Sequence, residues 1–253
     1  MVSPFKSYES LAWTETLLNT PEEVQEEVDY LWQAWKQYRA TPDGSEKVEL
    51  LHLGCGAGAY DYWLKEHCQI VGVDLSEGML QLARERNTEV TYLVGDMRNF
   101  QLAKRFQWVL IPDAIDYLQT QQEVNQCLAQ ITNYLAPGGL LMIVASFAEE
   151  FQENNFVYEE SEGDQKVTLY ENNHRISTNQ YESTLVYLLR KGESLSIQQD
   201  VHRLGLFSQQ QWQQACAANG LEVLSQNPVE HYQDYLMEEG EYLQRLLVCR
   251  AIA

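Results

Sequence analysis

The sequence predicts an α/β fold: a doubly wound, mostly parallel seven-stranded sheet with a small antiparallel β insertion. Three observations predict it. Short apolar runs alternate with capped helices from about residue 48 onward. A glycine-rich turn, LGCGAG (53–58), joins the first run to a helix. The alternation breaks once, between about Phe147 and Phe207, into long β-favouring stretches.

Taken in order, the first helix is predicted over Thr20 to Arg39. Thr20 with Glu23 reads as a capping box, and Pro21 takes the favoured first helical position. Val24, Val28, Leu31, Trp35 and Tyr38 then form one buried stripe. TPDGSE (41–46) is a turn-rich break, and the first strand follows at Val48 to Leu53. Ser76 caps a helix that runs to about Arg86. Thr120 with Glu123 starts another, whose apolar stripe is Val124, Leu128, Ile131 and Leu135. Ser208 with Gln211 starts a third, which Gly220 ends. Between them lie QIVGVD (69–74), VTYLVG (90–95), FQWVLI (106–111), GLLMIV (139–144) and LEVLS (221–225), and a last strand is expected at Tyr242 to Arg250. Such runs suit strands covered on both faces. Within the break, QKVTLYENNHRIS, NQYESTLVYLLRKG and ESLSIQQDVHRLG read as antiparallel strands, with a hairpin turn at Lys191-Gly192.

Composition bounds the function. Lys+Arg 17 against Asp+Glu 37 gives a net charge of −20, a poor surface for a polyanion. Nucleic acid and anionic membrane are therefore not expected partners. Five scattered cysteines without a CxxC fit reduced thiols, and the five histidines lack ligand spacing, so no metal is expected. The opening residues carry no apolar signal core and no segment is long enough to span a bilayer, which points to the cytoplasm.

The glycine turn leaves two readings open. Gly54, Gly56 and Gly58 allow positive φ and a close backbone approach by a ligand. Gly54, Gly56 and Ala59 also satisfy the dinucleotide pattern, with Asp74 twenty residues on, where an acid would take a ribose. What separates the readings lies downstream: GVDLS, in which Asp74 ends the second strand, GDMRNF (95–100) after the third strand, IPDAIDYL (111–118) after the fourth, and APGG (136–139) before the fifth.

This ordered series resembles the class I S-adenosylmethionine-dependent methyltransferases, over roughly residues 45–146 and 208–250. The resemblance implies a Rossmann-like core over 45–146 and 208–253, an insertion over 147–207 acting as a lid, and an N-terminal helical segment, 1–44, over the cofactor. The implied cofactor is S-adenosyl-L-methionine. Its methionine part would sit at Gly54, Cys55 and Gly56, its ribose at Asp74, and its adenine between Asp96 and Met97. Leu75, Met79 and Pro112 complete the expected wall. YESLAWTETLL and HRLGLFSQQQW resemble a group of bacterial methyltransferases, which would bring Tyr8 and Trp13 over the cofactor. An insertion after strand five resembles small-molecule types, such as sugar-amine and glycine N-methyltransferases. Two positions depart from the family: His52 stands where an acid is usual, and Gln107 where Asp is frequent.

Methyl transfer to a small acceptor needs mainly alignment and exclusion of water. A base is needed where the acceptor arrives protonated, and His202, Asp113 and Tyr117 are the candidates. His174 is a weaker one; His67 and His231 read as surface. Seven acids in residues 149–164, with no Lys or Arg, are expected at the sheet's C-terminal edge, favouring an amine-bearing acceptor over a phosphorylated one. Tyr181, Leu185, Tyr187 and Leu189 share one face of an insertion strand, with Val186 and Leu188 on the other. The N-terminal helices or a second subunit, making a homodimer, could cover such a face. A binding protein with little catalysis and a nicotinamide-dependent enzyme are the competing classes.

Overall fold

In the computed structural model of the chain, residues 5–40, 47–229, 235–237 and 242–252 are described. Two short helical turns lead to helix α1 (Glu15–Leu18) and then α2 (Gln25–Tyr38). Thr20 donates its N–H to Glu23 at 2.9 Å, but the reciprocal bond is lacking among those described and Val24 is the N-cap. The regular helix thus begins later than the capping pattern predicts, and the turn before it brings Glu22, Glu23 and Val24 to the wall of a cavity. The 41–46 turn lies outside the described residues.

Strand β1 (Val48–Leu53), α3 (Ala59–Leu64), β2 (Cys68–Asp74), α4 (Glu77–Arg86), β3 (Thr91–Val94), β4 (Phe106–Ile111), α5 (Gln121–Thr132) and β5 (Leu135–Ser146) form the first part of the core. After the insertion come α6 (Gln209–Ala218), β10 (Leu221–Val229) and β11 (Gln244–Ala251). The predicted caps at Ser76, Thr120 and Ser208 are all present, the last two as complete capping boxes. The sheet order is β10-β11-β5-β4-β1-β2-β3. All pairs from β3 to β5 are parallel, and β11 runs antiparallel to both its neighbours.

Strand side chains alternate between two cores, because successive residues point to opposite faces. Leu51, Leu53, Val109 and Ile111 pack with Val124, Leu128 and Ile131 of α5 and Trp212 of α6. Leu50, Trp108 and Leu110 pack on the other side with Val28, Leu31 and Trp35 of α2 and Leu64 of α3. α2 is therefore an ordinary sheet-covering helix; the part of the N-terminal segment that faces the cavity is what precedes it and its first turn.

The insertion is a four-stranded antiparallel sheet: β6 (Asn155–Glu162), β7 (Gln165–Ser177), β8 (Gln180–Lys191) and β9 (Ser194–Gly205). Three strands coincide with the predicted stretches. β6 does not, because its acids disguise a strand whose apolar residue, Phe156, is fully buried. The face expected to need a partner has one in this chain. Leu11 and Leu17 pack with Val167, Leu185 and Tyr187. A bridge between Phe147 and Phe207, with Ala148 N–H donating to the Phe207 carbonyl at 3.0 Å, ties the insertion's base to the core.

Candidate functional site

The chain winds from β1 to β3 on one side of β1, then returns to β4 on the other, so β1 and β4 flank the switch point where open α/β sheets bind ligands. A cavity of about 990 Å³ opens there, beneath the insertion and the N-terminal segment. Gly54, Cys55, Gly56, Asp74, Leu75, Met79, Asp96, Met97 and Pro112 all line it, as does Tyr8. Trp13 does not; it is 36% exposed on the outer side of the segment.

Two glycines explain the turn. Gly54 has φ 69°, and a Cβ there would lie 2.1 Å from the Ala114 methyl, so the loop after β4 seats directly on it. Gly56 has φ 51° and no atom within 4 Å of where its Cβ would be, leaving open space at the cavity wall. At the end of β2, Asp74 accepts the Gly56 N–H at 2.9 Å and the Ser76 N–H at 2.8 Å. Burial raises its pKa while those N–H groups pull it back. Asp96 accepts from the Arg98 guanidinium at 2.6 Å, and Arg98 also pairs with Glu123. That bond, the largest influence, holds the Asp96 pKa low. The adenine contact expected of Asp96 would use its remaining acceptor capacity.

The other half of the cavity is aromatic and acidic. Tyr8, Asp113, Tyr117, Tyr158, Leu169, Glu171, Leu185 and Tyr187 line it. Asp113 stands open to the cavity yet walled by protein, and desolvation, with Glu27, Asp116 and Glu171 nearby, raises its pKa well above the usual range. Glu27 is buried, accepts the Tyr60 hydroxyl at 2.5 Å, and is pushed up to about 7 by burial.

His202 is not in this wall. It lies behind Tyr117, lining a smaller void of about 150 Å³, with its Nδ1 2.7 Å from the Tyr117 hydroxyl and its Nε2 3.2 Å from Asp200. Asp200 also accepts the Ser7 N–H and hydroxyl, at 2.8 and 2.9 Å. A carboxylate can only accept, so Nε2 carries the hydrogen and Nδ1 accepts from Tyr117. Tyr8 hydrogen-bonds Tyr117 in turn. Burial lowers the His202 pKa, with Asp200 opposing.

His174 is exposed and pairs with Glu153, and His67 is exposed against Trp32. His231 lies outside the described residues. The seven acids of 149–164 do not line the cavity: Glu150 pairs with Arg245, Glu153 with His174, and Glu159 with Lys166. The negative wall comes instead from Glu15, Glu22, Glu23, Glu26, Glu27, Asp113 and Glu171. Glu27 was detectable, since it falls inside the α2 apolar stripe; Glu171 and Asp200 sit in polar stretches with nothing to mark them.

Beside the glycine turn, His52 is 1% exposed and its Nδ1 lies 2.7 Å from the buried Asp61 carboxylate. Among the described residues no group of three metal-binding side chains occurs, and no helix is long and apolar enough to cross a membrane.

Comparison with known proteins agrees with this geometry. A methyltransferase-domain family model matches residues 50–139. A dTDP-3-amino-3,4,6-trideoxy-alpha-D-glucopyranose N,N-dimethyltransferase from Streptomyces venezuelae is 29% identical over 187 residues, spanning 72% of this chain and 78% of that protein. A dTDP-3-amino-3,6-dideoxy-alpha-D-glucopyranose N,N-dimethyltransferase from Streptomyces fradiae is 28% identical, spanning 70% and 71%. An S-adenosylmethionine-bound amino pentose methyltransferase from Micromonospora echinaspora superposes with a TM-score of 0.71 at 25% identity, covering 88% and 89% of the two chains.

Proposed function

The chain is a class I S-adenosylmethionine-dependent methyltransferase acting on a small molecule, and on that premise we propose that its acceptor is an amine that carries no phosphate. The observation that carries the reading is the excess of acids over bases in the cavity wall. Ten carboxylates line it (Glu15, Glu22, Glu23, Glu26, Glu27, Asp74, Asp96, Asp113, Glu123 and Glu171) and, among the described residues, one Lys or Arg, Arg98. Arg98 is already held by Asp96 and Glu123. Burial favours the protonated forms of Asp113, Glu27 and Glu171, and an approaching ammonium draws them into the charged form and is attracted. A diphosphate finds no unpaired cation among the described lining residues and is repelled by the acids that are charged. The relatives named for dTDP-linked amino sugars support an amine as nucleophile, whereas this wall disfavours their nucleotide handle.

The cavity residues fit the cofactor: an open wall at Gly56, an acid at Asp74 beside it, and apolar cover from Met79 and Met97. When bound, S-adenosylmethionine supplies a methyl group already activated on a sulfonium. The protein's residues then align and dry the site. Tyr8 and the N-terminal turn close one side, and Leu185 and Tyr187 of the insertion the other, as a lid over the acceptor. An amine that arrives as ammonium must give up one proton before its nitrogen attacks. Asp113 faces it, and Tyr117 offers a path to His202 Nδ1, with Asp200 stabilising the imidazolium that forms.

Two finer assignments belong to the same reading. The five free, buried thiols suit a reducing cytoplasm. The insertion's outer face, with Tyr170, Val201 and the 62% exposed Ile197, is where a homodimer contact would form. Light scattering at micromolar concentration tests that contact, and a monomer of 29.3 kDa removes it.

The test of function is radiolabelled methyl transfer to separate pools: free amines, hydroxylated aromatics and a dTDP-linked amino sugar. Turnover in the amine pool alone is expected. Turnover confined to the hydroxylated pool, or a preference for the dTDP-linked sugar, overturns the reading. Tight S-adenosylhomocysteine binding with no turnover in any pool favours a binding protein instead.

A further inference from the structure

Among the buried side chains around the glycine turn, one that lines the cavity has a polar atom left without a partner. His52 is on β1, two residues before Gly54, with its ring edge-on to Tyr60 at 6.0 Å. Its Nδ1 is 2.7 Å from Asp61 Oδ1, and the other Asp61 oxygen accepts the Tyr92 hydroxyl at 2.8 Å. The Asp61 carboxylate has no hydrogen to give, so the Nδ1 hydrogen belongs to His52. In the neutral ring, that leaves Nε2 as a lone-pair acceptor. Nε2 is buried and has no protein partner, although His52 helps line the large cavity. A buried polar atom without a partner is costly, and this one lies at the wall where the methionine end of the cofactor is expected.

We propose that the Asp61–His52 pair holds Nε2 as the acceptor for the α-ammonium of the bound cofactor. Of the two charged groups at the methionine end, the carboxylate cannot donate and the ammonium can, so an Nε2 lone pair selects the ammonium. Asp61 acts through the ring, as a positioning residue that fixes which nitrogen carries the hydrogen.

Three probes separate this role from a structural one: S-adenosylhomocysteine, its decarboxylated analogue, which keeps the amine, and 5′-methylthioadenosine, which lacks the whole amino-acid end. By calorimetry, His52→Leu should weaken the first two by about tenfold, the worth of one charge-assisted hydrogen bond, and leave the third within twofold. Equal weakening of all three overturns the proposal in favour of a packing role. So does full affinity for the decarboxylated analogue, which would place the contact on the carboxylate. Should His52→Leu fail to fold, Asp61→Asn keeps the shape and lets an amide N–H face Nδ1, favouring the tautomer with Nε2 protonated. The same selective loss is expected from it, and unchanged S-adenosylhomocysteine affinity overturns the proposal. Because the readout is binding, failure here leaves the choice of acceptor untouched.

Discussion

The Asp74 carboxylate accepts the backbone N–H of Gly56 at 2.9 Å, so the acid that ends β2 and the apex of the glycine turn form one unit. The same carboxylate caps the next loop through the Ser76 N–H at 2.8 Å. Removing it therefore loosens the turn and deletes the expected ribose acceptor together. Asp74→Ala should weaken S-adenosylhomocysteine by at least roughly tenfold, a charge-assisted hydrogen bond being worth about 1.5–3 kcal/mol. Gly56→Val should abolish binding, since its Cβ would enter the open wall from a backbone at φ 51°. Calorimetry on folded variants decides both, and unchanged affinity in Asp74→Ala removes the ribose assignment.

The core was legible because its signals are local. Caps at Ser76, Thr120 and Ser208, and strands of uninterrupted apolar residues, each follow from a few neighbours in sequence. The cofactor half of the cavity follows similarly from the β1 turn and the ends of β2 to β4. The acceptor half was legible only at Tyr8, Asp113 and Tyr117, because it is joined by contacts between residues 85 to 193 apart. Tyr8 meets Tyr117, Tyr117 meets His202, and Ser7 meets Asp200. The run of acids at 149–164 misled for the same reason. A stretch of charge shows that a segment is solvated, but not that it faces a site, and here the strand pairing of β6 carries Glu159, Glu160 and Glu162 away while Glu150 and Glu153 find partners elsewhere.

A pH signature should accompany the buried acids. Glu27, ordinarily near 4.5, and Asp116, ordinarily near 3.8, are both pushed up to about 7 by burial. The folded state therefore binds their protons more tightly than the unfolded state. The stability this gives is fully present below the ordinary carboxylate range and is lost as pH rises through about 7. In the ligand-free protein, denaturant unfolding should show stability falling between about pH 4 and 7, by up to roughly 1.4 kcal/mol per pH unit for each group. A Glu27→Gln/Asp116→Asn variant should show a flatter profile. Identical slopes in the two proteins would mean that neither acid is protonated in the fold.

The Tyr117–His202–Asp200 chain makes a kinetic prediction. His202→Gln should lower kcat by roughly a hundredfold, the usual scale for a lost general base, while S-adenosylhomocysteine affinity stays within about twofold. Tyr117→Phe, which breaks the path at its cavity end, should act similarly on kcat. Burial holds the His202 imidazole below its ordinary 6.5, so the acid limb of the wild-type rate profile should lie below that pH and vanish in His202→Gln. A full rate in either variant shows that Asp113 or solvent takes the proton.

The part of the N-terminal segment that precedes α2 closes the cavity without belonging to either large core, and its hold should be separable from global stability. Leu11 and Leu17 pack on Val167, Leu185 and Tyr187, while Ser7 and Lys6 bond Asp200 and the Gln199 carbonyl of β9. A buried Leu→Ala change costs about 2–5 kcal/mol in a well-packed core. Here that loss falls on a strap of about thirteen residues, which can open while the seven-stranded sheet stays folded. Leu17→Ala should accordingly leave the main unfolding transition nearly unchanged, speed proteolytic cleavage before α2, and weaken S-adenosylhomocysteine several-fold. Saturating ligand should restore protection, because Tyr8 lines the same cavity and closure and binding are then linked. Replacing residues 165–203 with a short linker removes the strap's seat on the insertion, leaving its contacts with Ala57, Ser76 and Met79, and should abolish methyl transfer while the core still folds. If Leu17→Ala changes neither cleavage nor affinity, the apolar seat on the insertion does not hold the strap, and its polar contacts, Ser7 with Asp200 and the Tyr8 carbonyl with Ser76, do.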